Sequence, residues 1–309
     1  MHYPSIRNLE RAPDILCQPE VIVTEKVHGM SWRIFIPEGA MNIEQLRYGG
    51  RGSWIPEDHP TLGAAVRACH EIILSRKLAP ESIAAAAGCV LFGELFGPTV
   101  QKEIRYLDEG FGFRVFDVGR HGRFLDWPDV VRCAESLDLE VVPVLYRGRP
   151  DPEVLRRLVA EGSSIAPPGT GEPREGLVIR PPTEATDSFG ERLIVKLKVG
   201  RFADHESKGK PLDLESAAGE ARLIGELDRF LTRARIVKAA SVLREENRYR
   251  RAMADVPGLV EVAWRELERE APEILGGQDP AAARSYLSRI LARRYESALR
   301  EDALPPRTA

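Results

Sequence analysis

The sequence predicts an α+β protein: antiparallel sheets with flanking helices over residues 1–212, then a small all-α domain over 213–309. Three observations carry this. Short apolar runs, several alternating with period two and bounded by glycine or proline, recur through the first two-thirds of the chain. From about Asp213 proline thins out and Ala, Leu, Glu and Arg take helical spacing. A length of 309 residues suits two domains.

Composition narrows the class. With 43% hydrophobic and 29% charged residues the chain reads as soluble and globular, and a net charge of −3 leaves nucleic-acid binding to local patches. Cys17, Cys69, Cys89 and Cys133 are scattered without a C-x-x-C pair, so they read as free thiols rather than a zinc site or disulfide framework. Met1 to Arg7 lacks the apolar run of a signal peptide, and no stretch approaches the roughly 18 apolar residues of a membrane helix. The expectation is a cytoplasmic protein with no membrane partner.

In order, residues 1–20 form a lead-in broken by Pro4, Pro13 and Pro19. Val21 to Val23 begins a strand that delivers Lys26, and Gly29 permits a sharp turn or a close approach. Trp32, Ile34 and Ile36 then alternate, so the expectation is a hairpin with Lys26 at its turn. The glycine-rich stretch Arg47 to Trp54 reads as a flexible hairpin tip, or as a source of backbone and guanidinium donors for a phosphate or ribose. Thr61 to Leu78 has helical spacing, and Ala84 to Ala87 is short and apolar.

Glu94 interrupts the apolar run Val90–Phe96, and a charge buried there needs a positive or hydroxyl partner. In Phe111 to Val118, alternation puts Phe113 and Val115 on one face and Arg114, Phe116 and Val118 on the other. Trp127 to Leu137 reads as a helix with Asp126 as its cap, and Val141 to Leu145 as an edge strand because of Pro143. A helix over Pro152 to Glu161 precedes a Gly/Pro-rich loop and Glu175, which opens another apolar strand. Lys196 and Lys198 share a strand face opposite Val195, Leu197 and Val199, where they are either solvated or aimed at an anion.

Helices are expected at 214–247, 257–273 and 279–301. Acidic and basic side chains balance over this half, yet Arg229, Arg233, Lys238, Arg244 and Arg248 crowd one stretch. They form a solvated charged face or a nucleic-acid contact.

Five stretches, in this order, resemble the RNA ligase 2 family of the covalent nucleotidyltransferase superfamily. They are Glu25-Lys26-Val27-His28-Gly29, Phe92-Gly93-Glu94-Leu95-Phe96-Gly97, Phe113 to Val118, Glu175 to Arg180 and Val195 to Lys198. The Tyr3-Pro4-Ser5-Ile6 opening and the Val199 to Lys210 tail are similar too. The resemblance implies an ATP-grasp-like ligase adenylation domain over 1–212. It also implies an ATP-dependent RNA ligase that seals 5′-phosphate and 3′-hydroxyl ends, as at nicks in duplexes, in the service of RNA repair.

By that resemblance Lys26 is the nucleophile that becomes lysyl-AMP. Glu25, Val27, Arg51, Glu94, Phe116, Glu175, Lys196 and Lys198 contact the nucleotide. Glu94 and Arg51 (or Arg47 of the same loop) hold the ribose, Phe116 stacks on adenine, and Glu175 organises the phosphate-binding lysines or a Mg²⁺ or Mn²⁺ ion. His28, Gly29 and Arg33 stand near the departing pyrophosphate or behind the residues that touch it. His28 replaces an aspartate common in the superfamily, and Met30-Ser31 replaces the Thr-Asn of close relatives. The helical tail separates this chain from DNA ligases and capping enzymes, which carry a β-rich OB barrel there. The alternatives are another enzyme of the superfamily, a DNA-joining ligase among them, or a catalytically silent nucleic-acid-binding module.

Overall fold

A computed structural model describes residues 1–198, 202 and 213–306. The Val199–Lys210 tail therefore lies, but for Phe202, outside the described residues. Ten strands are formed there: β1 (Arg7–Asn8), β2 (Val21–Lys26), β3 (Met30–Phe35), β4 (Arg47–Gly50), β5 (Cys89–Phe96), β6 (Gly112–Arg120), β7 (Arg123–Phe124), β8 (Val144–Gly148), β9 (Gly176–Arg180) and β10 (Val195–Lys198). They make two five-stranded sheets, ordered β1-β10-β9-β2-β8 and β4-β3-β5-β6-β7. All pairings are antiparallel except the two-residue β1·β10 contact.

The chain falls into two compact units. The first comprises Met1–Arg11, Gln18–Ala185 and Leu193–Leu212; the second comprises Ala12–Cys17, Thr186–Arg192 and Asp213–Ala309. In the first unit α1 (Gly63–Leu74), α2 (Pro80–Ala85), α3 (Trp127–Ser136) and α4 (Pro152–Ala160) flank the sheets. Its core packs Trp32 and Ile34 of β3, Leu91 and Leu95 of β5, and Val115 and Val118 of β6 against Val66 and Ile73 of α1 and Val130 and Ala134 of α3.

Four local readings are corrected. The Lys26 stretch is not a hairpin. Both edges of β2 are occupied by β8 and β9, so β3 cannot pair with it and joins the other sheet against β4 and β5. Gly29 makes this crossing possible by close approach: a Cβ there would lie 2.4 Å from the carbonyl oxygen of Leu95.

Val118 shares the core with Phe113 and Val115 instead of facing away with Phe116. A β-bulge explains it, because Phe92 pairs with Asp117 and Gly93 with Val115, leaving Phe116 as the extra residue. Beyond the bulge the alternation changes face.

The strand expected over Val141–Leu145 begins at Val144, on the sheet edge that Pro143 suggested. Its first residues instead bridge the two sheets: Val142 N–H donates to Val115 O (2.8 Å), and Glu25 N–H donates to Pro143 O (2.9 Å).

In the second unit, α5 (Leu214–Phe230), α6 (Arg233–Glu245), α7 (Val256–Glu270) and α8 (Pro280–Arg300) enclose a core that includes Leu227, Leu243, Leu267, Leu287 and Tyr295. The helix expected over 214–247 is two helices. Leu231 is buried, and extended Thr232 caps α6 by accepting the Arg235 N–H at 3.3 Å. No helix among the described residues is long and apolar enough to cross a membrane.

Candidate functional site

A cleft of about 340 Å³ opens in the first unit, with one wall from each sheet. The β2-β9-β10 wall supplies Lys26, Val178, Lys196 and Lys198. The opposite wall supplies Ser31, Glu94, Phe116 and, from the loop after β4, Arg51. One side is thus cationic, while the other carries a carboxylate, a ring and a guanidinium.

Lys26 is the last residue of β2, and its Nζ donates to Glu175 Oε2 at 2.9 Å. The same oxygen lies 3.2 Å from His28 Nδ1, while Glu175 Oε1 lies 3.0 Å from Lys198 Nζ. Gly176 admits this convergence, since a Cβ there would meet Leu197 O at 2.0 Å, so β9 and β10 approach closely beside Glu175. Burial alone would raise the Glu175 pKa, but the His28 hydrogen bond and the two ammonium groups pull it down to about 2.

His28 Nε2 faces Glu103 at 3.2 Å, and its backbone N–H donates to the Tyr106 hydroxyl at 2.8 Å. The hydrogen bond with Glu175 holds the imidazole pKa above its ordinary range. The ring also lies 5.1 Å from that of Phe202.

Glu94 is half-buried on β5. Burial drives its pKa up to about 7, against the attraction of Lys26, and among the described residues no ion pair holds it. In place of the positive or hydroxyl partner anticipated for this carboxylate, it accepts from the backbone N–H of Gly29. Phe116 reaches the cleft because the bulge turns it there, with its ring 5.0 Å from that of Tyr3.

Of the two arginines in the glycine-rich stretch, Arg51 lines the cleft and donates to Ser5 Oγ at 3.2 Å. Arg47 stands in β4 over the Trp54 ring, outside it. Glu25 and Val27 are buried beside Lys26 and also line the cleft. The Glu25 carboxylate is occupied by the hydroxyls of Ser163 and Ser164 and the Ser164 N–H (2.8 Å), with Arg174 at 3.6 Å.

Arg33 is not brought to the cleft; it is buried against Trp54 and Met1. The cleft also takes in Tyr3, Ser5, Trp127 and Arg180, to which sequence reasoning assigns no role. A charge closing the apolar Leu177–Arg180 run is the signal that marks Arg180, which pairs with Asp117 at 3.3 Å.

Of the five basic residues expected to contact nucleic acid, three are paired within the second unit. Arg233 meets Glu301 (3.2 Å), Lys238 meets Glu266 (2.5 Å), and Arg248 meets Glu261 (3.1 Å) and Glu246 (2.9 Å). Arg229 and Arg244 are exposed and form no ion pair among the described residues.

No group of three or more His, Cys, Asp or Glu side chains gathers among the described residues to hold a metal ion by itself. Glu94 lines the cleft, while Glu175 and His28 do not: Glu175 is buried behind Lys26 and Lys198. These two carboxylates suit an ion that takes one or two carboxylates and completes its shell with phosphates and water.

A family model described as RNA ligase matches residues 19–198. No curated protein matches the chain. Among solved structures, the chain is similar to Naegleria gruberi RNA ligase with pyrophosphate, at 18% identity over 64% of this chain and 56% of that one, TM-score 0.44. It is similar also to a mutant of the same ligase with AMP and Mn, at 17% identity over 64% and 56%, TM-score 0.46. The chain spans little more than half the length of these proteins.

Proposed function

The chain belongs to the RNA ligase family, and we propose that it is an ATP-dependent ligase joining 5′-phosphate to 3′-hydroxyl RNA ends through a lysyl-AMP on Lys26. One observation carries the reading: Lys26 and Lys198 line a cleft while converging on Glu175 buried behind them, and the cleft's other wall presents Glu94, Phe116 and Arg51. A binding module has no use for an amine so placed, and each of the five stretches that resemble the family contributes at least one residue to the cleft lining.

Lys26 acts first. While its Nζ donates to Glu175 it has no lone pair to offer, so the contact must loosen and a proton must leave. The amine then attacks the α-phosphorus of ATP; a P–N bond forms and the P–O bond to pyrophosphate breaks. Lys196 and Lys198 neutralise charge developing on the phosphate oxygens. Phe116 offers a stacking face for adenine, and Glu94 with Arg51 meets the ribose hydroxyls. The AMP then passes to a 5′-phosphate, and a 3′-hydroxyl displaces it as the strand is sealed. Glu175 would be the protein carboxylate for a bound Mg²⁺ or Mn²⁺, which would supply further charge neutralisation. A nicked duplex is the preferred substrate in this reading.

Incubation with α-labelled ATP and a divalent ion should label the protein, and Lys26→Ala should erase the band while leaving nucleic-acid binding intact. A panel of nicked duplexes, varying RNA and DNA on each side of the break, tests the joined strand. Label surviving in Lys26→Ala, labelling by GTP alone, or sealing of DNA but not RNA would each overturn the assignment.

A further inference from the structure

Arg33 is the charged residue of β3 that the cleft does not use. It is 6% exposed, and among the described residues it has no carboxylate partner. Holding a guanidinium there is costly unless its donors and its flat face are engaged. Two neighbours engage one donor and the flat face, while Nε is buried without a hydrogen-bond partner. Nη1 donates to the Met1 carbonyl at 2.8 Å, and the guanidinium carbon lies 4.2 Å from the centre of the Trp54 ring.

Gly49 leaves room for this stack. It stands opposite Arg33 across the β3·β4 ladder, where a Cβ would meet Ser53 O at 2.5 Å, Trp54 Cε3 at 3.0 Å and Arg33 Nε at 3.2 Å. Trp54 bridges back to Gly49, and Ile55 N–H donates to Tyr48 O at 2.9 Å, closing a short loop that carries Arg51. Arg51 in turn donates to Ser5 Oγ at 3.2 Å, four residues along from Met1. The contacts form a ring: Met1, Arg33, Trp54, the loop, Arg51, Ser5 and back to Met1. Both segments tied by Arg33 reach the cleft, one through Tyr3 and Ser5 and the other through Arg51.

We propose that Arg33 is a positioning residue that clamps the amino-terminal segment and the Arg51 loop into one edge of the nucleotide cleft. The effect on catalysis rests on the assignment of that cleft to ATP; the clamp itself does not. Arg33 touches no substrate and acts through where Arg51 and Ser5 stand.

Arg33→Ala should raise KM for ATP in self-adenylylation by about tenfold while kcat moves less than about twofold. Trp54→Ala should match it, and Trp54→Phe, which keeps a ring under the guanidinium, should restore most of the loss. In an Arg51→Ala background, Arg33→Ala should add almost nothing. Hydrogen exchange supplies a readout independent of ATP: Arg33→Ala and Trp54→Ala should both speed exchange in residues 2–6 and 50–55 together.

A fall in kcat at constant KM, or penalties of Arg33→Ala and Arg51→Ala that multiply, would give Arg33 a direct role and overturn the clamp. Unchanged exchange in either segment would overturn it too. A wild-type protein that takes no label would remove the ATP reading while leaving the exchange result to decide the clamp. If Arg33→Ala folds poorly, the Trp54→Phe and Trp54→Ala pair decides alone.

Discussion

Lys26 Nζ and Glu175 Oε2 stand 2.9 Å apart, so the amine assigned to attack is tethered by a carboxylate that also holds His28 and Lys198. The tether fixes the amine's position and must yield before it reacts.

Glu175 has a pKa lowered from 4.5 to about 2, so its charge stabilises the folded chain above pH about 4.5. That contribution, on the order of 3 kcal/mol, is lost as pH falls from there toward 2. Glu175→Gln should therefore lower the melting temperature near neutrality and flatten the acid limb of a stability–pH curve. An acid limb identical to wild type would contradict the ion-pair account.

Glu94 behaves oppositely. With its pKa raised from 4.5 to about 7 by burial, ionising it costs stability as pH rises through that interval. Glu94→Gln should be more stable than wild type above pH 7, by about 1–3 kcal/mol in urea melts, and converge on it near pH 5. It should bind ATP less well all the same, since the amide replaces the acceptor proposed to meet the ribose.

Phe116 is half-buried, so truncation should spare stability more than binding. Phe116→Ala should raise KM for ATP by tenfold or more, the scale of losing about 1–3 kcal/mol of stacking on a base. A variant with unchanged KM for ATP would place the adenine elsewhere.

Gly29→Ala would set a methyl 2.4 Å from Leu95 O and 3.0 Å from Glu94 Cγ, and the tightest contact is with backbone, which leaves little room to relax. We expect about 1–3 kcal/mol of destabilisation, read by thermal melting, with labelling impaired because the distortion begins three residues from Lys26. Full labelling by a correctly folded variant would show that the crossing tolerates bulk.

In the helical unit Arg229 and Arg244, which no internal carboxylate holds among the described residues, should be the better phosphate ligands if this face meets RNA. Alanine at Arg229 or Arg244 should each reduce the salt slope of RNA binding, by up to about 0.7 for every phosphate of a single strand that the variant no longer neutralises. Lys238→Ala and Arg248→Ala should change it less. Equal slopes for all four would return the whole face to solvent.

Charged residues were legible in the sequence where they broke an apolar pattern. Glu94 inside Val90–Phe96 and Lys196 and Lys198 at alternate positions of one strand announced their faces, and the structure sets them on the walls of one cleft. The bulge at Phe116 was not legible, because a single inserted residue leaves the local composition unchanged while reversing every later side chain. Nor was the fate of β2 and β3: the turn after Lys26 has the residues of a hairpin, and only competition from β8 and β9 excludes one. The break before α6 hides behind Thr232, whose capping hydroxyl looks like any polar surface residue. Arg47 and Arg51 are equivalent in a string of letters, and the β3·β4 register separates them.

The crossing at Val27–Gly29 and the bridge at Glu140–Pro143 join the two walls, and Val27, Gly29 and Val142 line the cleft between them, like a pair of spines in one binding. Lys26 is fixed to one cover, Phe116 and Glu94 to the other. How far the book stands open therefore fixes the reach from amine to ring, and a guest that spans both pages serves as its own gauge of length.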